Sequence, residues 1–497
     1  MLSVVVAAFA LIPLAFVVVY AVSLGPAEAW RLLVRPRVGE LLYNTVRLVL
    51  GGCLLSLVLG VGCAWVVERT DLPGRNVWHV LAVAPLAVPA FVNSYGWASL
   101  TPDVEGYSGA LVIVTMSYFP LVYLPTAASL RGLDPALEEV AQSQGHGRLG
   151  TFVRVVLPQL RPAMIGGALL VGLHLLAEFG ALQMLRFPTF TTAIYDQYRS
   201  SFNSAGANVL AAVLVLCCLL LLLADLRLRT DRRVARVGSG AVRVVSRQRL
   251  GRLTLPVLGL MVLLAAASLG VPFYSLTHWM IVGSSTAFPV GKIASATATS
   301  VALGLAAALL TVALSLPIAW LAVRFRSAAT TSIERSAYVA SAFPGIVVAL
   351  ALVTVSIRYA QPLYQTYALL IAAYAIMFLP RALVSVRAAM AQAPPVFEDV
   401  AHGLGLSPAE TARRVTLPLI APGVGAGAAL VFLAVATELT ATLLLSPIGT
   451  TTLATQFWSS SSAVAYGAAA PYAVIMVVIS LPATYLLSRR TDGLVPA

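Results

Sequence analysis

A 25-residue polar segment, Glu398–Pro422 (EDVAHGLGLSPAETARRVTLPLIAP), recurs 260 positions earlier as Glu138–Pro162 (EEVAQSQGHGRLGTFVRVVLPQLRP). Ten of the 25 aligned positions are identical, against roughly two expected by chance at ordinary residue frequencies. The shared skeleton is acid-Val-Ala, three residues, Gly, nine residues, Val-x-Leu-Pro, and each copy lies between two long apolar runs. The chain is therefore a duplication. Any fold it adopts has to build the same unit twice, with the same polar loop outside the apolar part of each.

Composition sets the medium. Apolar residues make up 59% of the 497 positions and charged residues 10%, far from soluble globular chains. Apolar stretches of about 18 residues or more recur, and about 20 cross a bilayer as a helix. The expected fold class is an all-α polytopic membrane protein. A net charge of +13 in a soluble chain would point to nucleic acid. Here the excess is mostly arginine in short loops beside apolar runs, so membrane lipid is the expected partner and nucleic acid is not. Cys53, Cys63, Cys217 and Cys218 lie inside apolar runs and the five histidines are scattered, a pattern that predicts neither disulfides nor a metal site. The N-terminal stretch stays apolar for more than 20 residues without a basic leader, which predicts a retained first span rather than a cleaved signal.

Twelve spans are predicted, six per repeat. They are Ser3–Leu24, Leu41–Val67, Val77–Leu100, Gly109–Leu130, Ala163–Leu185 and Val209–Leu226 in the first half. Leu253–Tyr274, Ala298–Val323, Ala337–Ile357, Tyr367–Val386, Gly423–Leu445 and Tyr466–Leu487 follow in the second. Six spans per half bring both halves in from the same side, giving a parallel pseudo-twofold repeat. The repeat reaches into the spans: Leu41–Arg69 aligns with Ala296–Arg324 at a shift of 255, pairing Leu48 with Leu303, Ala64-Trp65 with Ala319-Trp320 and Arg69 with Arg324. With the N-terminus inside, the inner segments hold 24 Lys/Arg and the outer segments seven. That bias predicts cytoplasmic termini and cytoplasmic repeated loops. The expected domains are 1–226, a basic cytoplasmic linker at 227–252, and 253–497.

Each loop, 134–162 and 394–422, reads as a helix, a glycine turn and a second helix. Pro135 and Pro395 suit a first helical turn, and Asp134 can cap the first copy. The helix should stop near Gly145 or Gly405, where glycine accepts a left-handed turn. Ser407-Pro408-Ala409-Glu410 is a capping box. Leu157-Pro158 and Leu417-Pro418 are expected to end each module at the membrane.

The pattern resembles the EAA loop of MetI-like importer permeases, the membrane subunits of ATP-binding-cassette transporters. That family carries Glu-Ala-Ala, three residues, Gly, nine residues, Ile-x-Leu-Pro. The matching residues here are Glu139-Val140-Ala141, Gly145 and Leu157-Pro158, then Asp399-Val400-Ala401, Gly405 and Leu417-Pro418, with Glu138 and Glu398 just before. Val replaces the middle Ala twice, and Asp replaces Glu once. The resemblance implies that each loop seats in one ATPase subunit and transmits its closure to the spans. It further implies two ATPase partners that use ATP and magnesium, an extracytoplasmic binding protein, and a multi-pass place in the bacterial inner membrane. No bound cofactor and no enzymatic activity are expected of this chain. A P-loop needs Gly-Lys followed by Ser or Thr, and the single lysine, Lys292, is followed by Ile.

Local phrases at 84–92 (APLAVPAFV), 176–185 (LAEFGALQML) and 438–458 (ELTATLLLSPIGTTTLATQFW) resemble the fused iron(III) importer permeases and their relatives for thiamine and aminoalkylphosphonate. Ferric iron is the expected substrate, with those two as alternatives and a secondary transporter as the competing class. Thr440 stands where the iron(III) group usually has proline. Glu178 and Glu438 each lie 16 residues beyond Pro162 or Pro422, about 24 Å up a helix. Carboxylates inside a span are candidates for a substrate pathway. The alternative is a structural role, pairing with Arg47 near the outer start of its span or with helix backbone.

Overall fold

Backbone polar groups in lipid have to be satisfied within the chain, which makes apolar runs helical. The computed structural model describes residues 2–23, 25, 27, 30–31, 34–133, 135–199, 204–228, 247–283, 289–325, 327–339 and 343–492. Among these residues the regular structure is helix, with one isolated bridge between Thr70 and Gln248.

Eight described helices are long and apolar enough to cross a membrane: Pro36–Arg69, Gly106–Gly132, Phe152–Ala177, Ala205–Asp225, Gly251–Val282, Val290–Arg324, Tyr367–Gln392 and Pro408–Ala436. Two bent pairs, Leu2–Ala10 with Ile12–Tyr20 (47°) and Arg75–Ala87 with Ala90–Ala98 (92°), raise the number to ten if each is one span. The other two of the twelve predicted spans fall on shorter apolar helices, Gly345–Tyr359 and Tyr466–Pro482. The chain is an all-helical, multi-pass membrane protein. By length and composition its described helices give eight to ten crossings.

The differences from the expected spans have local causes. Proline disfavours helical backbone in the residue before it, and Val88 is extended at φ −99°, ψ 113°. The predicted span Val77–Leu100 therefore breaks at Pro89. Pro344, at the equivalent position, has the same φ −55° and ψ 142°, so Ala337–Ile357 is not one helix either. The predicted spans Ala163–Leu185 and Gly423–Leu445 stop at Ala177 and Ala436, and short helices Gly180–Met184 and Thr440–Leu445 follow.

The Leu-Pro pairs do not end the loops. Five-residue π turns, Phe152–Val156 and Ala412–Thr416, run straight into Leu157–Ala177 and Leu417–Ala436. Pro158 and Pro418 lack the N–H that would bond four residues back, and a π turn re-routes the ladder at that point.

The described residues form two compact units. One comprises Pro36–Thr192, Leu216–Ile281 and Ser480–Ala497. At its centre cross the helices Pro36–Arg69, Pro120–Gly132 and Leu157–Ala177. A Cβ on Gly60 would lie 2.7 Å from Val122 Cβ, and one on Gly167 would lie 2.8 Å from Val122 Cα; glycine is what lets these backbones approach. Residues from the second half of the sequence pack here. Met261 Sδ accepts from Cys63 Sγ at 3.9 Å, and Ala267 O accepts from Trp97 Nε1 at 3.3 Å.

The other unit comprises Met1–Arg35, Ala193–Val215 and Val282–Ile479. Its central helices, Val290–Arg324, Tyr367–Gln392 and Leu417–Ala436, are the repeat equivalents. Ser3 Oγ donates to Pro317 O at 3.0 Å, which ties the N-terminal helix to the second half. Each unit thus takes its first apolar helix from the other half of the sequence.

Most of the predicted linker, residues 229–246, lies outside the described residues. Its far end is pinned beside the Pro36–Arg69 helix. Gln248 N–H donates to Arg69 O (2.9 Å), Asp71 N–H donates to Gln248 O (3.1 Å), and Leu250 N–H donates to the Asp71 carboxylate (2.8 Å).

Candidate functional site

Both repeated loops fold by one hydrogen-bond plan. The first helix runs Pro135–Ser143 and the second Val396–Gly403, with Pro395 at its N-cap; Asp134 lies outside the described residues. Gly145 and Gly405 have φ +83° and +85°. In the first copy Gly145 N–H donates to Gln142 O (3.0 Å) and His146 N–H to Ala141 O (3.1 Å). In the second, Gly405 N–H donates to His402 O (3.0 Å) and Leu406 N–H to Ala401 O (3.1 Å). These are the two bonds of a Schellman cap, which requires the left-handed residue glycine supplies. The capping box at Ser407 and Glu410 is formed, whereas the first copy has Gly147 in place of Ser407.

The two acids of each loop point to different surroundings. Glu139 and Asp399 are exposed, and beside them lie exposed apolar side chains: Leu137 (39%) and Val140 (53%) in one copy, Phe397 (49%) and Val400 (55%) in the other. The same arrangement, an acid framed by exposed aliphatic or aromatic side chains, is repeated on both loops. Ala141 and Ala401 are buried under that surface. Leu157 and Pro158 are half-buried; Leu417 and Pro418 are exposed.

Glu138 and Glu398 turn inward to arginines that the motif does not include. Arg69 Nη2 lies 3.0 Å from Glu138 Oε1, with the side chains 2% and 10% exposed. Arg324 Nη2 donates to Glu398 Oε1 at 2.8 Å, with 11% and 19% exposed. The first pair is a charge contact without good hydrogen-bond alignment, since Glu138 Oε1 has no bonded partner. Burial pushes the Glu138 carboxyl up from its ordinary value, and the Arg69 charge draws it back in part. The signal for both arginines was in the repeat, which aligns Arg69 with Arg324. Nothing in the spacing linked them to the loop acids.

Glu178 and Glu438 sit at the breaks that end the helices Leu157–Ala177 and Leu417–Ala436. Glu178 accepts from Ala181 N–H at 2.9 Å and from the Tyr118 hydroxyl. Glu438 accepts from the N–H groups of Ala441 (3.0 Å) and Thr442 (3.1 Å) and from the Thr442 hydroxyl (2.9 Å), which in turn lies 2.7 Å from Tyr374 Oη. Arg47 is elsewhere engaged. Its guanidinium lies over the rings of Tyr43, Tyr107 and Phe187 at 5.0, 4.3 and 5.2 Å from their centroids, a cation–π cage.

The residues now fixed in space can be compared with known proteins. The sequence model described as binding-protein-dependent transport system inner membrane component matches residues 56–236 and again 315–490. The chain belongs to that family. Each of the two matches encloses one repeated loop and one glutamate-capped break. The Fe(3+)-transport system permease protein FbpB 2 of Haemophilus influenzae is 40% identical over 482 residues, 96% of this chain and 95% of that protein. The sulfate transport system permease protein CysT of Salmonella typhimurium is 30% identical over 247 residues, 45% of this chain and 89% of its own length. The molybdenum transport system permease protein ModB of Escherichia coli is 28% identical over 218 residues, 40% of this chain and 90% of its own.

Proposed function

We propose that this chain is the membrane-spanning permease of an ATP-binding-cassette importer for ferric iron delivered by an extracytoplasmic binding protein. One observation carries the substrate: 40% identity across 96% of the chain with a permease named for Fe(3+) transport. The sulfate and molybdenum relatives cover less than half of it. Among the described residues no three His, Cys, Asp or Glu side chains come together to hold a metal ion, so the proposal rests on that relationship and not on a ligand cluster.

In this reading the chain crosses the inner membrane twelve times, six per half, with both termini and both loops cytoplasmic. The arginine bias supports that orientation. Residues 1–226 and 253–497 are two permease domains joined by the basic linker 227–252. Each loop receives one ATPase subunit on its exposed acid and apolar side chains: Glu139, Leu137 and Val140, or Asp399, Phe397 and Val400. ATP and magnesium are used there, and this chain hydrolyses nothing.

Proteoliposomes holding the chain with its ATPases, supplied with binding protein loaded with radioactive ferric iron, test the proposal. ATP-dependent iron uptake that neither thiamine nor an aminoalkylphosphonate competes is the expected result. Uptake of either competitor in place of iron overturns the substrate. Iron uptake that persists without ATP overturns the importer class.

A further inference from the structure

Arg69 and Arg324 are each the last residue of a membrane-crossing helix. Each guanidinium makes the same two contacts. One is with a carbonyl at the end of the helix that leads into the loop: Arg69 Nη2 donates to Leu130 O at 3.0 Å, and Arg324 donates to Ala393 O from both Nη atoms at 3.2 and 3.3 Å. The other is with the inner acid of the loop helix, Glu138 or Glu398.

We infer that Arg69 and Arg324 are transmission residues, each clamping a loop helix to the cytoplasmic ends of two spans. The inference rests on the reading that the loop helices receive the ATPases. A helix end leaves its last carbonyls without partners, and the planar fork of arginine can hold such a carbonyl and a carboxylate at once. Exposed ion pairs are soft and contribute little, but these pairs are largely withdrawn from water and salt, where charge contacts are screened less. A loop helix pushed by its partner therefore cannot shift without carrying both span ends.

Besides the better-aligned bonds of Arg324, the two clamps differ in a third partner. Glu398 Oε1 also accepts from Thr416 Oγ1 at 3.1 Å, in the π turn that opens the Leu417–Ala436 helix. The equivalent residue in the first copy is Val156, which has no hydroxyl. Removing Arg324 leaves Glu398 with a second holder; removing Arg69 leaves Glu138 with none among the described residues. The first half should depend more on its arginine.

The experiment uses the complete complex with its ATPases, in proteoliposomes supplied with iron-loaded binding protein. It counts ATP hydrolysed per iron transported, with melting temperature and ATPase co-purification recorded alongside. Arg69→Gln should raise that ratio about tenfold, within the range by which residues on a coupling path act. Arg324→Gln should raise it less, and Arg324→Gln with Thr416→Val should match Arg69→Gln. Arg69→Lys and Arg324→Lys should recover part of the loss, because a point charge reaches the carboxylate without the fork. Should Arg69→Gln fail to fold, the Lys variants and the Arg324/Thr416 pair carry the same test.

An unchanged ratio with a lowered melting temperature would make the arginines merely structural and overturn the inference. Loss of the ATPases from the complex would make them docking residues and overturn it equally. A wild-type complex that binds no ATPase, or hydrolyses ATP without moving iron, defeats the proposed function instead.

Discussion

Gly405→Ala isolates the backbone term that holds the second loop in shape. Gly405 sits at φ +85°, and a Cβ there would meet no heavy atom within 4 Å. Sterics with neighbours contribute nothing, so the whole penalty is that of an L-residue in the left-handed region, about 1–2 kcal/mol. Gly403, in the last turn of the same helix, also has open space around it and no left-handed φ. Gly403→Ala should therefore stabilise the helix by about 0.5–1 kcal/mol. The same methyl added two residues apart is expected to act with opposite sign. The reporter is the Leu406 amide, whose bond to Ala401 O forms only when residue 405 is left-handed. Its hydrogen exchange should be about 5- to 30-fold faster in Gly405→Ala and no faster than wild type in Gly403→Ala. Gly145→Ala should repeat the result at His146, since Gly145 has φ +83° and equally open surroundings. If Leu406 exchanges no faster in Gly405→Ala than in Gly403→Ala, the left-handed turn is not what holds the loop.

Gly145→Pro and Gly405→Pro fix φ near −65° and should uncouple ATP hydrolysis from transport while the chain still inserts; wild-type transport with ATPases bound would refute this. Native mass spectrometry of the complex should find one copy of this chain with two ATPase subunits, one per loop, and two copies of the chain would sink the assignment. Ser407→Ala should cost the second loop about 1 kcal/mol. Hydrogen bonds from the Ser407 N–H and hydroxyl hold the Glu410 carboxyl below its ordinary value, so the cap's contribution is present above the ordinary carboxylate pKa and is lost as pH falls through the depressed one. Limited proteolysis of the loop across the acid range reads this, and a wild-type loop as well protected at the acid end as at neutrality contradicts it. Glu438→Ala should lower the melting temperature more than Glu438→Gln, which keeps an acceptor for Ala441 and Thr442; equal losses would rule out capping as the role.

The loops were legible because their chemistry is local. A glycine that must be left-handed and a proline that opens a helix act over single turns, and the duplication states both constraints twice; the serine three residues before a glutamate is equally local and occurs in the second copy. The π turns at Phe152–Val156 and Ala412–Thr416 carry no residue signature except the proline that follows, which reads equally well as a stop. Breaks at Val88 and Glu178 vanish in any hydropathy average, because the residues on both sides are apolar. The pairing of Arg69 with Glu138 joins residues that only packing brings together. The exchange of first helices, seen in Ser3 against Pro317 and Met261 against Cys63, is likewise tertiary. Val140 and Val400 look in sequence like a departure from the motif's alanine; in the fold they are part of the exposed apolar surface.

The carboxylates at the helix breaks hold the backbone that follows them. Irregular backbone at membrane depth is tolerated only where protein or a wet cavity satisfies it, and broken helices are where transporters take hold of substrate. A carboxylate offers about four lone-pair directions. Glu438 already accepts from two N–H groups and one hydroxyl of the short helix Thr440–Leu445, and Glu178 accepts from Ala181 and Tyr118. Arg47 neutralises neither in this arrangement, since its guanidinium faces three rings. By that count Glu438 has about one direction left and Glu178 about two, so each carboxylate holds the start of the next helix, through Ala181 or through Ala441 and Thr442, and still has room for a further partner.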